Sequence, residues 1–178
     1  MVKWEEAAEI DIPEGVTANQ AGTVITVKGP KGEVKRNLPD NYLRISIEGS
    51  KIKITMSKKN RRNNGILGTW TSELKSMING VTSGFEYHMK IDYTHFPMRV
   101  SVRGNAVVVE NFLGERSARI ANIIGNTKVN VKGDRLTIEG IDKREIGETS
   151  ANIERATKIR RFDPRIFQDG IYLLKGGE

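Results

Sequence analysis

The sequence predicts an α+β protein made by internal duplication, each half holding small, mainly antiparallel sheets packed on one helix. Three observations carry that expectation. Alternating β-branched runs separated by glycine turns read as hairpins. A helical apolar stripe follows the hairpins. The whole programme then returns after roughly 80–85 residues, too long a period for a solenoid and suited to two tandem domains.

The elements follow in chain order. Residues 1–15 are acidic (Glu5, Glu6, Glu9, Asp11, Glu14) and read as a loosely held terminus, with Ile10 and Ile12 able to form a short edge strand. Val24–Val27 and Val34–Leu38 flank Gly29-Pro30-Lys31-Gly32 and predict a first hairpin; Arg44–Glu48 and Lys51–Thr55 around Gly49-Ser50 predict a second. Leu67, Trp70, Leu74, Met77, Ile78 and Val81 then form a stripe about 100° wide, which predicts a helix covering those strands and closing at Asn79-Gly80. Tyr87 to His95 alternates as a strand, and His95-Phe96-Pro97 punctuates it.

From Met98 the order repeats. Val100–Gly104 echoes Ile25–Gly29, and Val129–Glu139 lies over Ile45–Thr55 without a gap, with turn glycines Gly49 and Gly133 coinciding. The second helix is expected to run through Ile153 and Ile159 until Pro164 stops it, with Arg155, Lys158 and Arg161 opposite Ile153 and Ala156. The expected domains are residues 1–94 and 95–178.

The 178 residues carry 29 Lys and Arg against 22 Asp and Glu, a formal charge of +7. That excess favours a polyanionic partner, because lysines and arginines that neutralise phosphates release condensed counterions. Residues 1–90 hold fourteen basic and ten acidic side chains and residues 91–178 fifteen and twelve, so neither half is a basic tail and the charge must act through patches. There is no cysteine, which excludes a disulfide framework, thiolate metal sites and a cysteine nucleophile. Without an apolar leader or a run long enough to span a bilayer, a cytosolic protein is expected.

A catalytic site finds no footing in the sequence. His88 and His95 fall on opposite faces of an extended strand, and no nucleophile elbow, phosphate loop, dinucleotide fingerprint or zinc-protease helix occurs. Gly29-Pro30-Lys31-Gly32 has the Gly-x-x-Gly form of an RNA-clamping loop, but it lies between strands and Pro30 lacks an amide donor, so it reads as a hairpin turn. No enzyme, cofactor, metal or small-molecule substrate is expected.

Three basic clusters remain. Lys58, Lys59, Arg61 and Arg62 mark the first helix start, where a bound phosphate offsets their conflict with the helix dipole. Arg116 and Arg119 follow Asn111-Phe112-Leu113-Gly114. The densest cluster is Arg155, Lys158, Arg160, Arg161 and Arg165, opposed only by Asp163. Phe162 and Phe167 flank its turn and are expected to wedge it in place, while the arginines grip phosphates of a structured RNA read by shape. A protein-interaction adaptor, or an RNA binder of another kind, is the alternative.

Four stretches, taken in order, carry a resemblance across almost the whole chain. They are Gly68-Thr69-Trp70 with Gly80–Tyr87; His95-Phe96-Pro97; Glu110–Glu115; and Gly140–Lys143 running through Gly147 and Asn152-Ile153-Glu154 to Phe167–Tyr172. Together they resemble the universal ribosomal protein family numbered six of the large subunit, in its archaeal form. The resemblance implies a duplicated α+β protein without catalytic role, bound to large-subunit ribosomal RNA near the base of the sarcin–ricin stem, chiefly through its second domain. It further implies neighbouring large-subunit proteins as partners, with translational GTPase factors docking nearby. Lys143 and Gln168 lie in the matched stretches and complete the expected RNA-contacting set; Lys58, Lys59, Arg61 and Arg62 are a possible second contact with RNA or protein.

Overall fold

The computed structural model describes residues 5–38, 43–57, 60–160, 162–163 and 165–174. It divides into two units, the first ending at Gly84 and the second beginning at Phe85.

The first unit runs β1 (Glu5–Asp11), β2 (Thr17–Ala21), β3 (Val24–Gly29), β4 (Gly32–Asn37), β5 (Leu43–Glu48), β6 (Lys51–Met56) and α1 (Arg61–Thr82). Its two three-stranded sheets have the orders β1-β6-β5 and β2-β3-β4, with every ladder antiparallel. Ile25, Val27, Ile52, Ile54, Leu74 and Val81 are fully buried, so the strand faces and the helix stripe meet as their alternation requires. Each such side chain contributes about 1.5–3 kcal/mol on burial. The hairpin at Gly29-Pro30-Lys31-Gly32 is a turn, with Gly29 opposite Gly32. Its Lys31 amide donates to the Val81 carbonyl at 3.0 Å and its ammonium to the Ser83 carbonyl, so the turn caps α1 rather than facing a ligand.

Two expectations are corrected here. The acidic terminus is the paired edge strand β1, because Ile10 buries opposite Ile52 and Glu9 meets Lys51 at 3.1 Å. Helix α1 does not close at Asn79-Gly80; it continues to Thr82, and the positive φ needed to leave it falls on Gly84. Gly80 is instead buried within the helix.

The second unit runs β7 (Phe85–Asp92), β8 (Arg99–Arg103), β9 (Ala106–Glu110), a 3-10 turn (Phe112–Gly114), β10 (Arg119–Asn122), β11 (Lys128–Lys132), β12 (Arg135–Gly140), α2 (Lys143–Ala156) and β13 (Gly170–Leu173). Its sheets are β10-β9-β8 and β11-β12-β7-β13. Their inner faces and α2 enclose Met89, Val107, Val109, Phe112, Leu136, Ile138, Ile146, Ile153 and Ile171.

The duplication is real, but its phase differs from the sequence reading. β7 pairs with β12 and β13, as β1 pairs with β6, so it opens the second unit instead of closing the first. A boundary at 94/95 would cut β7 from both of its partners. The echo of Ile25–Gly29 in Val100–Gly104 is out of phase as well: β3 is the middle strand of its sheet and β8 an edge. The hairpin correspondence holds, with Gly49 and Gly133 both left-handed at φ 59° and 61°. β13 has no counterpart among the described residues of the first unit. Among the described residues no helix is long and apolar enough to cross a membrane.

Candidate nucleic-acid interface

The basic run of the second unit is shaped by where α2 stops. Asp142 caps its start, accepting from the Arg144 amide at 2.9 Å, and Glu145 in the first turn accepts from the Asn126 amide at 3.2 Å. The helix ends at Ala156, earlier than the expected stop at Pro164, so Lys158 and Arg160 lie past it and share no helical face with Arg155. Nothing in Lys158-Ile159-Arg160 forbids helix; tertiary contacts end it. Buried Thr157 donates its hydroxyl to the Ile153 carbonyl at 3.2 Å and accepts the Ile171 amide at 3.2 Å.

Arg119 completes the ending. Its Nη1 donates to the carbonyls of Ala156 at 2.8 Å and Lys158 at 3.1 Å, satisfying acceptors that a helix C-terminus leaves open. Its Nε and Nη2 grip Glu115 at 2.9 and 2.7 Å, and its guanidinium lies 4.1 Å from the Phe112 ring centroid. The hydrogen bond from Arg119 holds the Glu115 carboxyl below its ordinary value, against the opposing effect of desolvation. Arg119 is thus a staple joining β10 to the end of α2, with each of its nitrogens engaged.

Around that staple lies a cleft of about 320 Å³ lined by Arg119, Ile120, Arg155, Ala156, Lys158 and Arg160. Arg155, Lys158 and Arg160 are exposed, and no carboxylate lines the cleft among the described residues. Cations at a helix C-terminus are favoured by its dipole, so Arg155 and Lys158 have a folding reason to be there as well. Their convergence with Arg160 still leaves a concentrated positive field facing solvent. Ile120, 65% exposed, adds an apolar wall that the sequence reading omitted; only its outward position in a strand of otherwise buried alternates could have flagged it.

The other expected residues scatter. Arg165 lies on the following turn, its fork closed on Asp163 at 2.8–3.2 Å. The same hydrogen bonds hold the Asp163 carboxyl below its ordinary value and raise Arg165 above its own. Gln168 belongs to a different cleft of about 430 Å³, with Lys90, Asp92, Tyr93, Thr94 and Tyr172. Arg116 is exposed in the loop before β10 and does not line the basic cleft. Lys143 opens α2, about 18 Å along the axis from Arg155, with its ammonium 5.8 Å from the Phe85 ring. Arg61 and Arg62 are exposed in the first turn of α1, where Asn60 already accepts the Asn63 amide at 2.8 Å. Lys58, Lys59, Arg161 and Pro164 lie outside the described residues.

Phe167 packs between two rings, with Phe162 at 4.9 Å and His95 at 4.8 Å between centroids, whereas Phe162, expected as a second wedge, is 52% exposed. His95 is expected at the end of a strand. It sits beyond the end of β7, where its Nδ1 is 3.8 Å from the buried Asp169 carboxylate. Among the described residues no group of three or more His, Asp or Glu side chains is placed to hold a metal.

A family model described as Ribosomal protein L6 matches the chain twice, over residues 12–84 and 96–170. Curated proteins named "Large ribosomal subunit protein uL6" are similar over nearly the full length. The one from Picrophilus torridus is 62% identical over 176 residues, covering 99% of this chain and 98% of its own. Those from Thermoplasma volcanium and Thermoplasma acidophilum are 55% and 54% identical over 178 residues, each match covering both chains entirely.

Proposed function

The chain belongs to the ribosomal protein L6 family, structural components of the large ribosomal subunit and not enzymes, and from that premise we propose that its second unit grips large-subunit ribosomal RNA through the basic cleft at the end of α2. Three exposed cations converge there without an acidic partner among the described residues, beside a fourth that braces the backbone carrying them, and this observation supports the reading most directly. Arg155, Lys158 and Arg160 contact phosphates. Arg119 is a positioning residue: it fixes the direction in which the chain leaves the helix. Arg116, Arg161, Arg165, Gln168 and Lys143 are outer contacts, and Lys58, Lys59, Arg61 and Arg62 form a secondary contact with RNA or a neighbouring ribosomal protein. Fixed forks on a rigid helix end suit a structured RNA read by shape.

The RNA in question is the region at the base of the sarcin–ricin stem. By bracing it, the protein supports the platform on which translational GTPase factors dock, and it works in the cytoplasm within the ribosome. The test is binding to a ribosomal RNA fragment containing that stem, with an unrelated duplex of equal length as reference, across a salt series. The triple variant R155A/K158A/R160A is expected to lower the log–log salt slope by about 2–3 and to erase the preference for the fragment. Unchanged slope and affinity in a folded variant would overturn the assignment.

A further inference from the structure

The turn after the basic cleft carries a ring ladder that the phosphate-gripping reading leaves unused. Asp163 builds the turn: its carbonyl accepts the amides of Ile166 and Phe167 at 3.1 and 3.0 Å, and its carboxylate accepts the Arg165 amide at 2.9 Å. This folds residue 167 back beside residue 162. Phe167 is then the middle rung, half-buried between His95 at 4.8 Å and Phe162 at 4.9 Å. The inner end is anchored, because the Thr94 amide donates to buried Asp169 at 2.9 Å and so fixes the chain next to His95. The outer end is open: Phe162 is 52% exposed and packs on no ring but Phe167 among the described residues.

A wedge has no reason to leave half of its ring in water, where the exposed apolar area costs free energy. A half-exposed ring braced on one side by a second ring, here tilted by 45°, can offer its free side to a base. Its flanks settle which class of partner fits. Arg160 lines the cleft, and Phe162 follows two residues later, within about 7.6 Å between Cα atoms, a distance on the scale of one nucleotide. Three residues further along the chain is Arg165, its side chain 88% exposed and its fork hydrogen-bonded to the Asp163 carboxylate. A half-exposed ring with exposed arginines two residues before it and three after it along the chain matches a base with its own phosphate better than it matches an apolar protein surface.

We propose that Phe162 is a stacking platform for one unpaired nucleobase, taken from the RNA whose phosphates lie in the adjacent cleft. The proposal rests on the RNA-binding reading and deepens it: the duplex is held by shape, and a single unstacked nucleotide fixes register. Phe167 and His95 support the platform without touching the base.

Two hairpin RNAs with the same stem test this, one fully paired and one carrying a single bulged 2-aminopurine, whose fluorescence is quenched on stacking. The full chain is expected to quench the bulged probe and to prefer that RNA. F162A should lose the quenching and about five- to a hundredfold of affinity for the bulged RNA, while its affinity and salt slope for the paired RNA stay unchanged. F162W should keep both quenching and preference. Equal losses on both RNAs in F162A, or quenching that survives it, would overturn the proposal. Absence of salt-dependent binding to either RNA by the unaltered chain would instead bring down the RNA-binding reading, and this inference with it.

Discussion

The Thr157 hydroxyl accepts the backbone N–H of Ile171 at 3.2 Å, and through that bond the end of α2 closes the free edge of the second unit's larger sheet. Leu174 turns its own amide inward to the His88 carbonyl at 2.9 Å, so with strand alternation the amides of Ile171 and Leu173 point outward from β13. The first goes to Thr157 and the second to the Glu154 carboxylate at 3.0 Å. An edge that would otherwise offer donors to another chain is capped by two side chains from one helix turn.

Replacing Thr157 by Val keeps the shape and removes the acceptor, leaving the Ile171 amide buried and unpaired. T157V should lose about 1–3 kcal/mol in urea unfolding. T157S, which keeps the hydroxyl, should retain most of it. Equal losses in the two variants would assign the effect to packing.

Arg119 makes a related prediction about geometry rather than charge. R119K keeps the positive charge but cannot span Glu115 and the two carbonyls together. Amide hydrogen exchange at Thr157 and Lys158 should accelerate, and unfolding free energy should fall by about 1.5–3 kcal/mol. RNA affinity should drop several-fold with the salt slope unchanged. A lowered slope would show that Arg119 contacts phosphate itself.

Glu115 supplies a pH dependence. Its carboxyl is held below the ordinary value, chiefly by the hydrogen bond from Arg119, so its contribution is complete above the usual carboxylate range. It is lost as pH falls through the lowered folded value, where protonation releases Arg119. The difference in melting temperature between the native chain and E115Q should therefore shrink on acidification. A carboxyl-carbon NMR titration of Glu115 should place its midpoint below that of a free glutamate. A difference constant with pH would sink the coupling.

In the first unit, two glycines predict opposite signs. A Cβ on Gly29 would lie 2.7 Å from Val81 Cγ2 and 2.9 Å from the Val81 carbonyl oxygen, which is pinned by the Lys31 amide. G29A should cost about 1–3 kcal/mol. Gly68, inside α1 with nothing within 4 Å of its added Cβ, should gain roughly 0.5–1 kcal/mol as G68A. Differential unfolding of the paired variants checks both.

Much of this architecture is legible along the chain. Alternation placed the two hairpins of the first unit and the β11–β12 pair, because an antiparallel strand with one wet face must alternate. The stripe from Leu67 to Val81 gave α1, whose later members Leu74, Met77, Ile78 and Val81 are the buried ones. Misreadings fell where no local rule decides. β7 reads as a closing strand from either side, and only its pairing with β12 and β13 assigns it to the second unit. The residues after Thr157 are acceptable helix formers, and only bonds to Ile171 and Arg119 end α2 there.

The same division runs through the candidate interface. The sequence by itself determined the kind of protein: a duplicated α+β chain with net positive charge and its densest cations between residues 155 and 165. Those properties follow from composition and period, which survive any folding of the chain. Tertiary structure alone decided which cations lie together. It set Arg119 to brace the helix end, brought Arg155, Lys158 and Arg160 around one cleft, and closed Arg165 on Asp163. It also left Phe162 half in solvent at the end of a ring stack. The reason is that a guanidinium or an aromatic face is available to a partner only when no neighbour occupies it, and neighbours five, thirty-seven or seventy-two residues away do not show in a local pattern.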